Sequence, residues 1–240
     1  NIGCTLQDAG KLEEAIEAYT KALSINSNFI GAIVNASALT NQIANTTLIN
    51  KEFEKILDCC RRELVEMPVF QINQALRAFL RSNQKLVRKY LNNYSNCTPS
   101  SITKLKLKDR VFCSAYSKFL QKLIEKPLMN EPTFIDDQTV FHLGESHCLS
   151  YAHKLIKING KGYAVAPRIT FGAKAYHFST KKEDAFKAIT KANFDGLPES
   201  SKVFLSFGEI DCRPNEGFIS AASKLNKPIK NIISDTVEGY

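Results

Sequence analysis

The chain has 240 residues, 44% of them hydrophobic, and carries a formal net charge of +8. That is enough apolar material for a sizeable core, spread more naturally over two domains than one. No apolar run approaches the ~20 residues a membrane-spanning helix needs, and the polar, already helix-patterned start shows no signal peptide.

The cysteines, at positions 4, 59, 60, 97, 113, 148 and 212, form no Cys-x-x-Cys pair, and no histidines cluster beside them. Neither a zinc site nor a disulfide framework is indicated, so the expectation is reduced thiols, a cytoplasmic location, no metal and no cofactor. The chain opens on Asn1 rather than methionine, which together with the motifs below points to a fragment of a longer protein.

The opening "NIGCTLQDAGKLEEAIEAYTKALSINSNF" places apolar or small residues at Ile2, Leu6, Ala15, Tyr19, Ala22 and Leu23, with Gly10 dividing two helical patterns. Two such short helices bury their small residues only against each other and a neighbouring pair, which is the logic of a stacked repeat. The segment resembles a tetratricopeptide repeat: Gly3, Gly10, Ala15, Tyr19 and Ala22 fall where that family's packing residues recur, while Ser27 stands where a terminal proline is usual. The resemblance implies a protein-binding surface over residues 1–48; a helical cap without a partner is the plainer alternative. A second repeat starts at "FIGAIVNASALTNQIA", where Ala32, Ile33, Ala36 and Leu39 keep the helical period, and its next helix, "NKEFEKILDCCRREL", is less regular.

Residues 49–130 read as a basic helical region. From Arg77 to Lys126, Lys and Arg far outnumber the two acids, Asp109 and Glu125, in two or three helices split by the loop "NNYSNCTPSS". "KLVRKY" and "KLKLKDR" are candidates for phosphate binding, on nucleic acid, nucleotide-sugar or an anionic membrane. Phe112, Tyr116, Phe119, Leu120 and Leu123 nevertheless recur at helical spacing beside Lys118 and Lys122. A solvated cationic face over a buried stripe is the favoured reading, and a nucleic-acid partner is not.

Over residues 133–240 the period changes. Strand-like "TVFHL" (139–143) leads to a helix expected from about Cys148 to Ile156. There follow strand "GYAVA", the Gly-containing "RITFGAKAYHF", helix "KEDAFKAITKANF", strand "KVFLSF" and helical "EGFISAASKL". Strands alternating with helices predict a parallel sheet covered on both faces, with ligands beyond the carboxyl ends of its strands. "GESH" follows the first strong strand and "GEIDCR" the last, so Ser146, His147, Glu209, Asp211 and Arg213 are expected near one crevice.

"FHLGESHC" is similar to the first block of the SGNH, or GDSL-like, hydrolases and acyltransferases, with Ser146 at the nucleophile and Glu145 in place of the usual aspartate. Gly172 matches the second-block glycine, whose N–H binds the oxyanion. "FLSFGEIDCR" stands at the third block: Gly208 and Asp211 fit, while Ile210 replaces the oxyanion-binding asparagine, leaving that task to Arg213 or another donor. No Asp-x-x-His is present, and "DTVE" has Glu238 where the histidine belongs.

The resemblance implies a partial three-layer α/β/α, flavodoxin-like domain acting on acyl esters of a carbohydrate or glycoconjugate. In it, the Ser146 and Gly172 N–H groups hold the oxyanion, and a histidine beyond Tyr240 serves as base. Three alternatives stay open. Ser146 caps the following helix; Asp211 and Arg213 form an ion pair that fixes their loop; or the chain is a repeat scaffold with a degenerate, non-catalytic α/β part. The Gly-x-Ser-x-Gly elbow fails at Cys148, and neither dinucleotide nor P-loop glycine patterns occur.

Overall fold

In a computed structural model, which describes residues 2–43, 48, 55, 67–125, 138–179 and 182–240, the chain begins with a helical hairpin. It consists of α1 (Ile2–Asp8) and α2 (Leu12–Ile25). Gly10 turns the chain at φ +78°, and the Gly10 and Lys11 N–H groups reach back to the carbonyls of Gln7 and Leu6. Such a left-handed helix end suits glycine, which has no Cβ to clash. Gly3 is small for a second reason: a Cβ there would lie 2.6 Å from Tyr19 Cε1, so the ring packs directly on the α1 backbone. The Tyr19 hydroxyl donates to Gln7 Oε1 at 3.1 Å, and Ala15 and Tyr19 are buried, with Ala22 half-buried. Ile2, assigned to the apolar face by its spacing, is 73% exposed, since no described element covers it.

Helix α3 (Ile30–Gln42) buries Ala32, Ile33, Ala36 and Leu39 as its period predicts. The irregular helix expected after it falls almost wholly outside the described residues. The helical middle comprises α4 (Pro68–Leu80), α5 (Gln84–Ser95), α6 (Pro99–Thr103) and α7 (Leu107–Leu123). Asn83 caps α5 by accepting from Leu86 N, and Thr98 caps α6 ahead of Pro99. The run of α5 to Ser95 and the Thr98 cap shorten the expected loop at 92–101. α7 turns Cys113, Ser117 and Leu120 inward and leaves Lys118 and Lys122 in solvent, whereas Arg77 is buried on α4.

A four-stranded sheet follows, in the order β2-β3-β1-β4. The central, fully buried β1 (Thr139–Gly144) pairs in parallel with β3 (Lys161–Ile169) on one side and β4 (Lys202–Ser206) on the other. β2 (Leu155–Ile158) joins β3 antiparallel at the edge, so the sheet is mixed rather than wholly parallel. The helix expected at Cys148–Ile156 is replaced by a 3-10 turn, Ser146–Ser150, and by β2. The physical reason is Asn159-Gly160, at φ +49° and +80°, the left-handed pair that a two-residue hairpin requires.

One face of the sheet packs against α9 (Ala185–Asp195). On the other face, the 3-10 turn joins α4, α5 and α7 in a buried cluster that includes Cys148, Leu149, Ala152 and Ile169. Helices α8 (Ala175–Ser179), α10 (Phe218–Leu225) and α11 (Ile229–Gly239) complete the fold. Ile189 of α9 also belongs to the buried cluster of α2 and α3, so the repeat hairpin shares a core with the helix that packs on the sheet.

Gly3→Ala is expected to cost about 1–3 kcal/mol, because Tyr19 is held by its own hydrogen bond and cannot retreat freely. Gly31→Ala, in α3 with its nearest neighbour at 3.6 Å, serves as a control expected to be neutral or slightly stabilising. Urea unfolding midpoints compare the two.

Candidate functional site

β1 is the point at which the sheet topology reverses: the chain leaves it for β3 on one side and returns to β4 on the other. In sheets of this kind the crevice beyond the carboxyl end of such a strand is where ligands are held. Thr170 N donates to Gly144 O at 2.9 Å and Glu145 N to Ser206 O at 3.3 Å, tying the ends of the three parallel strands together. A Cβ on Gly144 would run into Ser206, so glycine is required where the strands approach this closely.

Glu145 closes the strand and is buried, at 1% exposure. Its carboxylate caps the 3-10 turn by accepting His147 N at 3.1 Å, accepts the Ser146 hydroxyl at 3.1 Å, and meets His147 Nδ1 at 2.8 and 2.9 Å. A carboxylate only accepts, so the proton of that last contact sits on Nδ1. The capping role open to Ser146 is thus performed by Glu145, and the Ser146 hydroxyl is left to side-chain partners. Its partner is the Glu145 carboxylate.

Glu209 approaches the same imidazole, with Oε2 3.7 Å from Nδ1. Arg213 Nε donates to both Glu209 oxygens at 3.1 and 3.0 Å, its second guanidinium nitrogen lies 2.8 Å from Oε2, and Glu216 stands 3.6 Å away. That bond to Arg213 holds the Glu209 carboxyl below the usual range. Asp211 makes no ion pair with Arg213: it is buried and accepts the N–H groups of Ala175 (2.7 Å) and Tyr176 (3.1 Å) at the start of α8. It ties the loop after β4 to the loop after β3. Gly172 (φ +72°) and Gly208 (φ +118°) shape those two loops, and Ile210 is buried beneath them. Among the described residues, neither the Ser146 nor the Gly172 N–H has a hydrogen-bond acceptor.

Tyr116, on the apolar stripe of α7, packs against Phe112, Phe119 and Phe171. Burial pushes its phenol up to about 12. Cys148 is fully buried with its thiol pushed up by burial, and Cys212 is exposed. Among the described residues one trio of ligand-type side chains, Glu145, His147 and Glu209, brings its atoms within 4.8 Å of one another. Its shortest contact is already a hydrogen-bonded imidazole–carboxylate pair.

The remaining histidines serve the scaffold. His142 Nε2 pairs with Ser206 Oγ at 2.8 Å, His153 Nε2 donates to Phe79 O at 2.6 Å, and His177 Nδ1 accepts from Lys174 N at 2.9 Å.

Residues 1–29 match the tetratricopeptide repeat. The match spans α1, α2 and the turn that follows, and stops short of the strands. Repeats of this kind present surfaces to other proteins, so the match supports a protein-interaction role for the hairpin. No curated protein and no solved structure matches the chain. Among the described residues no helix is long and apolar enough to cross a membrane.

Burial lowers the pKa of His142, His153 and His177 from 6.5, so the unfolded chain takes up these protons first. Their contribution to stability is fully present above the unfolded value and is lost as pH falls below about 6.5. Urea midpoints are expected to drop from about pH 7 to about pH 5, with a shallower drop in His153→Asn, which suits the left-handed backbone at that position.

Proposed function

We propose that the chain is a serine-dependent acyl-ester hydrolase or acyltransferase joined to a protein-docking helical repeat. The observation that carries this reading is the position of Ser146: two residues past the carboxyl end of the switch strand, with its hydroxyl proton directed at a buried carboxylate. The glycine loops after β3 and β4 border the same end of the sheet.

In the proposed reaction Ser146 Oγ attacks an acyl carbonyl and the backbone N–H groups of Ser146 and Gly172 receive the oxyanion. Among the described residues the group facing the Ser146 proton is Glu145 Oε2, backed by His147. In the SGNH hydrolases that the motif resembles, a histidine of an Asp-x-x-His block takes this proton. The acyl group then passes to water or to a hydroxyl of a carbohydrate or glycoconjugate, and no metal or organic cofactor enters the step. The SGNH-type three-layer domain belongs to this proposal, as do the boundaries 1–48, 49–130 and 133–240. So does a cytoplasmic setting.

A second reading makes the whole chain a protein-interaction scaffold. It draws on the match at residues 1–29, on Asp211 being spent on a helix start, and on Arg213 being held by Glu209. Turnover of chromogenic acyl esters separates the two. Ser146→Ala is expected to lower the rate at least a hundredfold while leaving the protein folded. Equal turnover by both forms of the folded protein would favour the scaffold.

A further inference from the structure

We propose that the outer face of α7, with the short segment leading into it, is a docking surface for an anionic lipid bilayer. The inference is independent of the serine reading and gives a role to the helical middle, whose cations the proposed chemistry leaves unused.

The inner side of α7 carries Cys113, Ser117 and Leu120, all buried, and Cys113 and Leu120 join the core cluster shared with α4 and α5. At ~100° per residue, Leu107, Val111, Ser114 and Lys118 fall on one narrow stripe on the outer side. Two of these are aliphatic, and both stand in solvent: Leu107 is 69% exposed and Val111 59%. One turn apart, they form a small apolar ridge along the crest of the helix. A single exposed aliphatic is ordinary, whereas an adjacent pair set among charges marks a surface that gains by leaving water.

Around that ridge the charge has one sign. Lys104 and Lys106 flank the half-buried Leu105, which packs on the core cluster and fixes the approach to the helix. Lys108, Arg110, Lys118 and Lys122 follow along α7, and all six cations are exposed. Asp109 is the one carboxylate in α5, α6 and α7, and it lies one turn before the buried Cys113, on the inner side. Long Lys and Arg stems lie along apolar surface while their charged ends reach phosphates and carboxylates at the boundary of a bilayer.

The two features together select the partner. Nucleic-acid phosphates would engage the cations and leave the ridge in water. Single-stranded nucleic acid is held on exposed aromatic rings, and here Phe112, Tyr116 and Phe119 are half-buried against one another. An anionic bilayer answers both: its headgroups pair with the cations, and its interface receives Leu107 and Val111. The helix then lies in the plane of the surface, its inner side still packed on the protein core.

The test uses the full chain and lipid vesicles. Binding to vesicles of roughly seven parts phosphatidylcholine to three parts phosphatidylserine is expected to be at least about tenfold tighter than to phosphatidylcholine alone. It is expected to weaken at least about tenfold between about 0.1 M and about 1 M salt, as the screening length contracts from ~10 Å to ~3 Å. The chain contains no tryptophan, so Leu107→Trp supplies a sole reporter at the ridge. Its emission is expected to shift to the blue on the anionic vesicles and to be quenched by brominated acyl chains. The double variant Leu107→Gln, Val111→Gln keeps every charge and is expected to lose at least about tenfold in vesicle affinity while eluting from heparin as the native chain does. Lys106→Glu with Lys108→Glu is expected to weaken both. All of these side chains are exposed, so circular dichroism checks that each variant keeps the native fold. A folded native chain that does not bind the anionic vesicles, or a tryptophan emission that they leave unshifted, would overturn the proposal. So would a double glutamine variant that binds vesicles as tightly as the native chain, and retention on heparin would then assign the face to polyanions instead.

Discussion

The buried Glu145 carboxylate is the constraint on which the site depends. A carboxylate removed from water costs several kcal/mol unless donors surround it. Here the donors are the His147 amide, the His147 ring and the Ser146 hydroxyl, all from the two residues that follow. Satisfying that charge dictates the 3-10 turn after β1, the tautomer of His147 and the direction of the serine proton. An apolar residue at position 145 would free all three, which explains why a turn this polar is built at the end of a strand this buried.

Around that turn, three parts of the chain that read as separate in sequence are joined. The helical middle supplies a wall of Leu and Phe beneath Leu149, with Lys118 and Lys122 on its outer face. The repeat hairpin shares a core with α9, which covers the opposite face of the sheet. An α9 that packs on both elements holds any protein docked on the hairpin in a defined relation to the sheet.

Much of this was legible because it rests on local periods. The three parallel strands, the long helices and the packing set at Gly3, Ala15 and Tyr19 follow from alternation or from helical spacing. The break at Asn159-Gly160 carried an equally local signal, the strongest short hairpin dipeptide, and reading an apolar helix through Ile156 obscured it. Other features have no local signature. Asp211 reads as a site acid by its place in "GEIDCR", yet it caps a helix contributed by another loop. Arg213 reads as its partner, and chooses Glu209, one helical turn back, over Asp211, two residues away. In each case the decisive contact crosses between elements, and the sequence around the residue cannot report it.

The central claim is that Ser146 is an activated nucleophile held by Glu145. Treating the folded chain with a fluorophosphonate probe and mapping the adduct by peptide mass spectrometry tests it most directly. The account predicts a single modified peptide, labelled at Ser146, whose formation is lost on prior denaturation. A folded chain that takes up no label at Ser146 would contradict it and leave the "GESH" turn a capped corner in a protein-binding scaffold.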